Sequence, residues 1–128
     1  MKLIICEKPS VAKSIASALG VTSRADGCFE GNGLIVSWCV GHLVSPMDAA
    51  GYDLGYKKWK YDDLPILPEP FRYVLAKGKE DAFQNLKHLM EREDVTELVN
   101  ACDAGREGEL IFRLVYEMAG CQKPFSRL

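Results

Sequence analysis

The sequence predicts an α/β fold, a mostly parallel sheet flanked by helices, with a β-hairpin and an aromatic, proline-rich excursion added to it. Three observations predict it. A short apolar run, Lys2–Cys6, leads through a tight turn into an amphipathic helix; the same strand–turn–helix order returns over residues 97–119; and a glycine-rich turn, Gly31-Asn32-Gly33, joins two strand-like runs between them. Strand–helix alternation implies βαβ units and helices on both faces of the sheet.

The first run, KLIIC, is short and wholly apolar, the signature of a strand buried on both faces. Pro9 follows and Ser10 is the expected N-cap. Val11, Ile15 and Leu19 then recur at helical spacing, and Gly20 is a natural stop. Residues 28–30 and 34–40 flank the glycine-rich turn as the two arms of a hairpin. Residues 45–70 hold four of the chain's six prolines (Pro46, Pro65, Pro68, Pro70), together with Trp59 and several tyrosines. They read as an extended excursion whose aromatic rings dock on something. A strand over residues 71–76 follows. Residues 79–92 form an amphipathic helix burying Phe83, Leu86 and Met90. ELVNAC, residues 97–102, reads as the next buried strand. The helix over residues 106–119 buries Leu110, Ile111, Leu114, Val115 and Met118, and Gly120 closes it.

At 128 residues the chain is long enough for one domain with a real core, and 48% hydrophobic with 27% charged residues is ordinary globular composition. No apolar run approaches the ~20 residues of a membrane span, so a cytoplasmic location is expected. The five cysteines include no CxxC pair and read as buried free thiols. A net charge of −2 argues against a generic nucleic-acid-coating surface but not against nucleic acid held locally at a metal site.

Chemistry concentrates in two charged turns, each at the carboxyl end of a predicted parallel strand, where α/β folds place their working residues. Glu7 and Lys8 follow the first strand; Asp103 to Glu107 follow the late one. Asp103 and Glu107, converging at a helix start, suit either capping or a hard divalent cation such as Mg²⁺. A third carboxylate, Glu7, at the other strand end is not required by capping and favours the metal. Glu109 is a candidate fourth acid, though its place in the helical period better suits a helix-surface residue or a support behind the site. Gly105 permits a tight turn, a positive φ or a close approach of substrate backbone. Arg106 and Arg113 contact phosphates or pair with glutamates. His42 is either structural or part of the site.

EKPSVAKSIA (from Glu7), VGHL (from Val40) and DAGREGELIFR (from Asp103), in this order and at these strand ends, resemble the Toprim domain of bacterial type IA DNA topoisomerases, the topoisomerase III-like group in particular. The resemblance spans residues 1–128 as a single Rossmann-like Toprim domain, with KPFSRL as the exit toward further domains. The Toprim pattern is a glutamate after the first strand and a D-x-D-x-E cluster after a later one. Glu7, Asp103 and Glu107 match it, whereas Gly105 stands where the middle aspartate would be and removes one metal contact.

The resemblance implies single-strand DNA cleavage and religation through a 5′-phosphotyrosyl link, without ATP. In that scheme Glu7 is the general acid/base, and Lys8 stabilises charge on the scissile phosphate. Glu7, Asp103 and Glu107 are the Mg²⁺ ligands, with Mn²⁺ as a substitute. Lys8, Arg106, Arg113 and His42 contact DNA phosphates. No tyrosine of this chain lies in a matching context, so the nucleophile is expected in another domain and the chain alone is expected not to relax supercoils. The implied partners are single-stranded DNA and the remaining domains of the same enzyme, with no membrane, at the nucleoid of a bacterium. Two further readings compete: a stand-alone Toprim metal-dependent nuclease or phosphotransferase, and a non-catalytic docking module acting through residues 45–70.

Overall fold

The computed structural model describes Met1–Leu128. Its frame is a six-stranded sheet in the order β2 (Ser23–Ala25), β3 (Cys28–Gly31), β4 (Leu34–Trp38), β1 (Lys2–Cys6), β7 (Glu97–Ala101), β8 (Phe125–Arg127). Strand β1 (Lys2–Cys6) is central, running parallel to β4 (Leu34–Trp38) on one side and to β7 (Glu97–Ala101) on the other. β8 (Phe125–Arg127) adds a parallel edge beyond β7. At the opposite edge β2 (Ser23–Ala25) and β3 (Cys28–Gly31) are antiparallel to their neighbours. The chain leaves β1 toward β4 and returns to β7 across β1, so the carboxyl end of β1 is the sheet's topological switch point.

Period-two alternation along β1 sorts its side chains between two cores. Ile4 and Cys6 join Ala12, Ala16, Val21, Val36 and Ala101 beneath α1 (Pro9–Ala18). Leu3 and Ile5 face the larger cluster, which contains Phe83 and Leu86 of α3 (Glu80–Glu91) and Ile111, Phe112 and Val115 of α4 (Arg106–Met118). Helices therefore cover both faces. Small residues on the inner side of α1 let that helix lie close on the sheet, whereas Phe112, fully buried, fills the thicker layer. Burial of a ring this size contributes about 3 kcal/mol.

The hairpin turn is two residues long. Asn32 and Gly33 both adopt positive φ (53° and 76°), and Gly31 pairs with Leu34 across it. Positive φ at both central positions defines the type I′ turn, which suits an Asn-Gly pair. Helix α1 starts differently from the capping expectation. Pro9 occupies the first helical position and Lys8 the cap position, so Ser10 lies inside the first turn and caps nothing. Proline wins because its missing N–H and fixed φ cost nothing there.

Residues 45–70 are less extended than expected. They hold β5 (Val44–Pro46), a short helix α2 (Ala49–Tyr52) and two 3-10 turns (Leu54–Lys57, Tyr61–Asp63) before β6 (Tyr73–Leu75), which pairs with β5 in a separate two-stranded sheet. Within this chain the most prominent rings dock on nothing. Trp59 and Tyr61 remain about nine-tenths exposed, at 91% and 90%. Helix α4 also departs in detail: Leu110 is exposed and Met118 only partly buried, while Gly108 and Phe112 take inner positions. Of the thiols, Cys6, Cys28, Cys39 and Cys102 are buried and free, and Cys121 is half-buried. Burial first, then the neighbouring Cys102, pushes the Cys6 thiol up to about 12, so it stays protonated and inert at neutral pH.

One surface network makes acid stability testable. Arg92 donates to both Glu30 oxygens (2.9 and 3.1 Å) and to Asp94 (2.9 and 2.7 Å), tying the hairpin to the α3–β7 turn. Hydrogen bonding to Arg92 is the first cause holding Glu30 below its ordinary 4.5 and Asp94 below its ordinary 3.8. Depressed carboxyl values stabilise the fold above the unfolded pKa, and that contribution is lost as pH falls through the lowered folded values. Arg92→Met is therefore expected to lower the melting temperature at neutral pH but to flatten its decline below pH 4.5. An unchanged acid slope in melting curves of the variant would contradict this.

Candidate active site at the strand ends

Glu7, His42 and Asp103 arrive from three adjacent parallel strands. Cys6, the last residue of β1, is in register with Trp38 of β4 and Ala101 of β7, so the turns after all three strands emerge at one level. Glu7 follows β1, Asp103 follows β7 by two residues, and His42 lies four residues beyond β4. Backbone bonds fix the turns: Cys39 N–H donates to Cys6 O (2.7 Å), and Gly41 N–H to Glu7 O (3.3 Å). Gly41 adopts φ +65°, which turns the chain there and presents His42.

Glu7 is buried, with 8% of its surface exposed. Its carboxyl sits beside that of Asp103, and its pKa is raised. The first cause is hydrogen bonding with the Asp103 carboxyl; desolvation and the Asp103 charge act in the same direction, while Lys8 and His42 oppose them. Two carboxylates at one site disfavour joint ionisation. Glu107 does not complete a three-ligand cage with them. Its carboxylate instead accepts from His42 Nε2 at 2.7 Å, and no three His, Cys, Asp or Glu side chains converge into a preformed cluster. The pair is half-exposed on the histidine side and more so on the glutamate side, worth ~1 kcal/mol at most.

The structure therefore brings Glu7, Asp103, His42 and Glu107 to one edge of the sheet in two coupled pairs. Lys8 is exposed at the cap position of α1, next to Glu7. Arg106 and Arg113 line an open groove of about 600 Å³ with Arg127, beside Gly105 and Leu110. Arg113 pairs with Glu109 at 2.8 Å and lies over the Phe125 ring, while Arg106 has no ion pair. A separate apolar cavity of about 330 Å³ lies within the excursion, lined by Tyr56, Trp59, Tyr61, Leu64 and Ile66; Glu7, Asp103 and Glu107 take no part in it.

Gly105 does not use positive φ. It takes an extended φ of −139° as the cap residue of α4, and a Cβ there would meet nothing within 4 Å. Gly108 is the glycine the turn requires, because a Cβ there would lie 2.0 Å from the Asp103 carbonyl oxygen. Asn100 and Arg127 were not legible as site residues. Asn100 is fully buried with its side chain bonded to Cys102 N–H and Glu109, and Arg127 donates to the carbonyls of Cys102 and Asp103. An asparagine inside the apolar ELVNAC strand was the available signal, since a buried amide must find partners.

Comparison with known proteins shows which family the chain is similar to. The Toprim domain family matches residues 2–128. The chain is 46% identical over 127 residues to the DNA topoisomerase 3 of Shouchella clausii, covering 99% of this chain. It is 41% identical over 126 residues to the DNA topoisomerase 3 of Bacillus subtilis, covering 98% of this chain. In both cases the matched region is 17% of the relative's own length. With its acidic strand-end turns on a mostly parallel sheet and a match running through nearly every residue, the chain belongs to the Toprim domain family.

Proposed function

We propose that this chain is the Toprim domain of a type IA DNA topoisomerase, topoisomerase III-like, and that it supplies the acid/base group and the metal-binding carboxylates for cleavage and religation of single-stranded DNA. The observation that carries this reading is the buried Glu7 beside Asp103 at the sheet's switch point, its pKa raised by that neighbour. Relatives carrying the name DNA topoisomerase 3 support it.

The residues fit a hard divalent cation. Two adjacent carboxylates disfavour joint ionisation and are relieved by positive charge between them, and Mg²⁺ takes one or two carboxylates plus water and phosphate oxygens. Asp103 and Glu7 would hold it, and Glu107 would join on release from His42. When bound, the cation supplies charge neutralisation at the phosphate. Mn²⁺ would substitute.

The chain's own residues handle protons and orientation. A tyrosine from another domain, its hydroxyl proton lost to solvent, forms the new O–P bond while the P–O3′ bond breaks. Glu7 in its protonated form donates that proton to the departing O3′. On religation the same carboxylate takes that proton back as O3′ attacks, and the phosphotyrosyl bond is released without ATP. Lys8 lies next to Glu7 and would offset phosphate charge; Arg106, Arg113 and His42 would contact the flanking backbone. Single-stranded DNA and the enzyme's remaining domains are the partners, at the bacterial nucleoid in the cytoplasm. No helix of the chain is long and apolar enough to cross a membrane.

The test uses two preparations. Denaturing the intact protein on a single-stranded oligonucleotide with Mg²⁺ is expected to leave a covalent adduct at a 5′ phosphate. The 128-residue chain alone is expected neither to relax nor to nick a supercoiled plasmid. Relaxation by the chain alone would defeat the divided-site reading; metal-dependent nicking would make it a Toprim nuclease.

A further inference from the structure

Behind the Asp103 turn lies a charged clasp built from residues of three elements. Asn100 is on β7, Glu109 on α4 and Arg127 on the edge strand β8, in register with Asn100. Glu109 Oε2 accepts from Asn100 Nδ2 at 3.0 Å and from Arg127 Nη1 at 3.1 Å, while its Oε1 accepts from Arg113 Nε at 2.8 Å. Arg127 Nη2 donates to Cys102 O at 3.1 Å and to Asp103 O at 2.7 Å. Asn100 Oδ1 closes the circuit by accepting from Cys102 N–H at 3.1 Å. Asn100 is fully shielded from solvent, and both ends of its amide are used.

We propose that Arg127 is a positioning residue, whose guanidinium, oriented by Glu109 and Asn100, fixes the backbone of the Asp103 turn and thereby sets the affinity of the Asp103–Glu7 carboxylates for a divalent cation. The proposal rests on the metal-binding reading of those carboxylates. Its physical basis is directional. The Asp103 side chain reaches Glu7 from a residue whose carbonyl is held by Arg127 and by Gly105 N–H (2.8 Å). Without Arg127, one of those bonds, the bond to Cys102 O and one arm on Glu109 are lost together, and the turn gains freedom that cation binding must then remove. A planar fork meets a carboxylate and two carbonyls at once; a lysine ammonium reaches only part of that set. Groups that orient metal ligands from behind typically change affinity 10- to 100-fold when removed.

The experiment measures free Mn²⁺ by electron paramagnetic resonance during titration of the intact protein without DNA. Arg127→Gln is expected to weaken Mn²⁺ binding about tenfold, and Arg127→Lys to recover part of the loss. Ser126→Ala removes the neighbouring β8 bond to Glu97 (3.0 Å) without touching the turn, and is expected to bind Mn²⁺ like the parent. In cleavage assays the Arg127→Gln defect should be largely restored by excess Mn²⁺, a shift in metal requirement rather than in maximal rate. Unchanged Mn²⁺ affinity in folded Arg127→Gln would overturn the proposal, as would equal weakening by Ser126→Ala, which marks general loosening of the edge strand. Asp103→Asn separates the two levels: if it binds Mn²⁺ normally, the metal-site reading fails; if it loses binding while Arg127→Gln keeps it, only the role of Arg127 fails.

Discussion

Replacing Glu7 with glutamine is expected to lower strand cleavage by the intact protein at least a hundredfold, or about 3 kcal/mol of barrier, and to raise its melting temperature at neutral pH with divalent metal chelated. The two effects share one cause. Glu7 is buried beside Asp103 and its carboxyl pKa is raised, so the folded protein holds a proton there that the unfolded chain gives up more readily. For a raised carboxyl, the stabilisation is complete below the ordinary value of 4.5 and is lost as pH rises through the higher folded value. At neutral pH the metal-free fold therefore carries an unfavourable pair of carboxylates. Glutamine copies the protonated form, donates an N–H to Asp103 and removes the repulsion, but it has no proton to give a departing oxygen. The stability gain should vanish near pH 4.5, where the parent is itself protonated. Undiminished cleavage would remove Glu7 from the proton transfer, and a lower melting temperature in chelator would show that the pair is not repulsive.

Much of this site could be read from the sequence because its parts are local. Glu7 follows a five-residue apolar strand and Asp103 another, and strand ends in an α/β sheet face the same way. What the sequence could not show is which charges pair across the fold. His42 and Glu107 are 65 residues apart and meet at 2.7 Å only because β4 and β7 flank the same strand. Arg127 lay in a six-residue tail that gave no periodic signal, yet β8 adds to the sheet there and brings its guanidinium to the Asp103 carbonyl. The apolar spacing of α4 marks it as a helix, but its inner face is rotated relative to that spacing. Phe112 is fully buried and Leu110 is not, because contact with the Asp103 turn requires the small Gly108 to face inward.

That contact yields the second large effect. Gly108→Ala is expected to displace the Asp103 turn, whereas Gly105→Ala, three residues earlier, is expected to be tolerated. Propensity alone predicts the reverse of damage: alanine in a helix interior is favoured over glycine by about 1 kcal/mol. Packing decides against it. A Cβ on Gly108 would lie 2.0 Å from the Asp103 carbonyl oxygen and 2.8 Å from both its carbonyl carbon and its nitrogen, where ordinary contacts begin at 3.4 Å. All three neighbours are backbone atoms, so no side-chain rotation relieves the overlap and the turn must move by more than 1 Å. Overpacking of this kind costs about 3 kcal/mol, exceeding the propensity gain, and a displacement of about 1 Å in a catalytic group lowers rate on the order of a hundredfold. Gly105 has an extended φ of −139° and open space around its Cβ, so alanine there should leave melting unchanged or slightly higher. Thermal melting and adduct formation on the two variants decide the matter. If Gly108→Ala melts and cleaves like the parent, the helix and turn are not in the close contact that places Asp103; if Gly105→Ala is the damaging change, the glycine of the acidic motif is needed for its backbone after all.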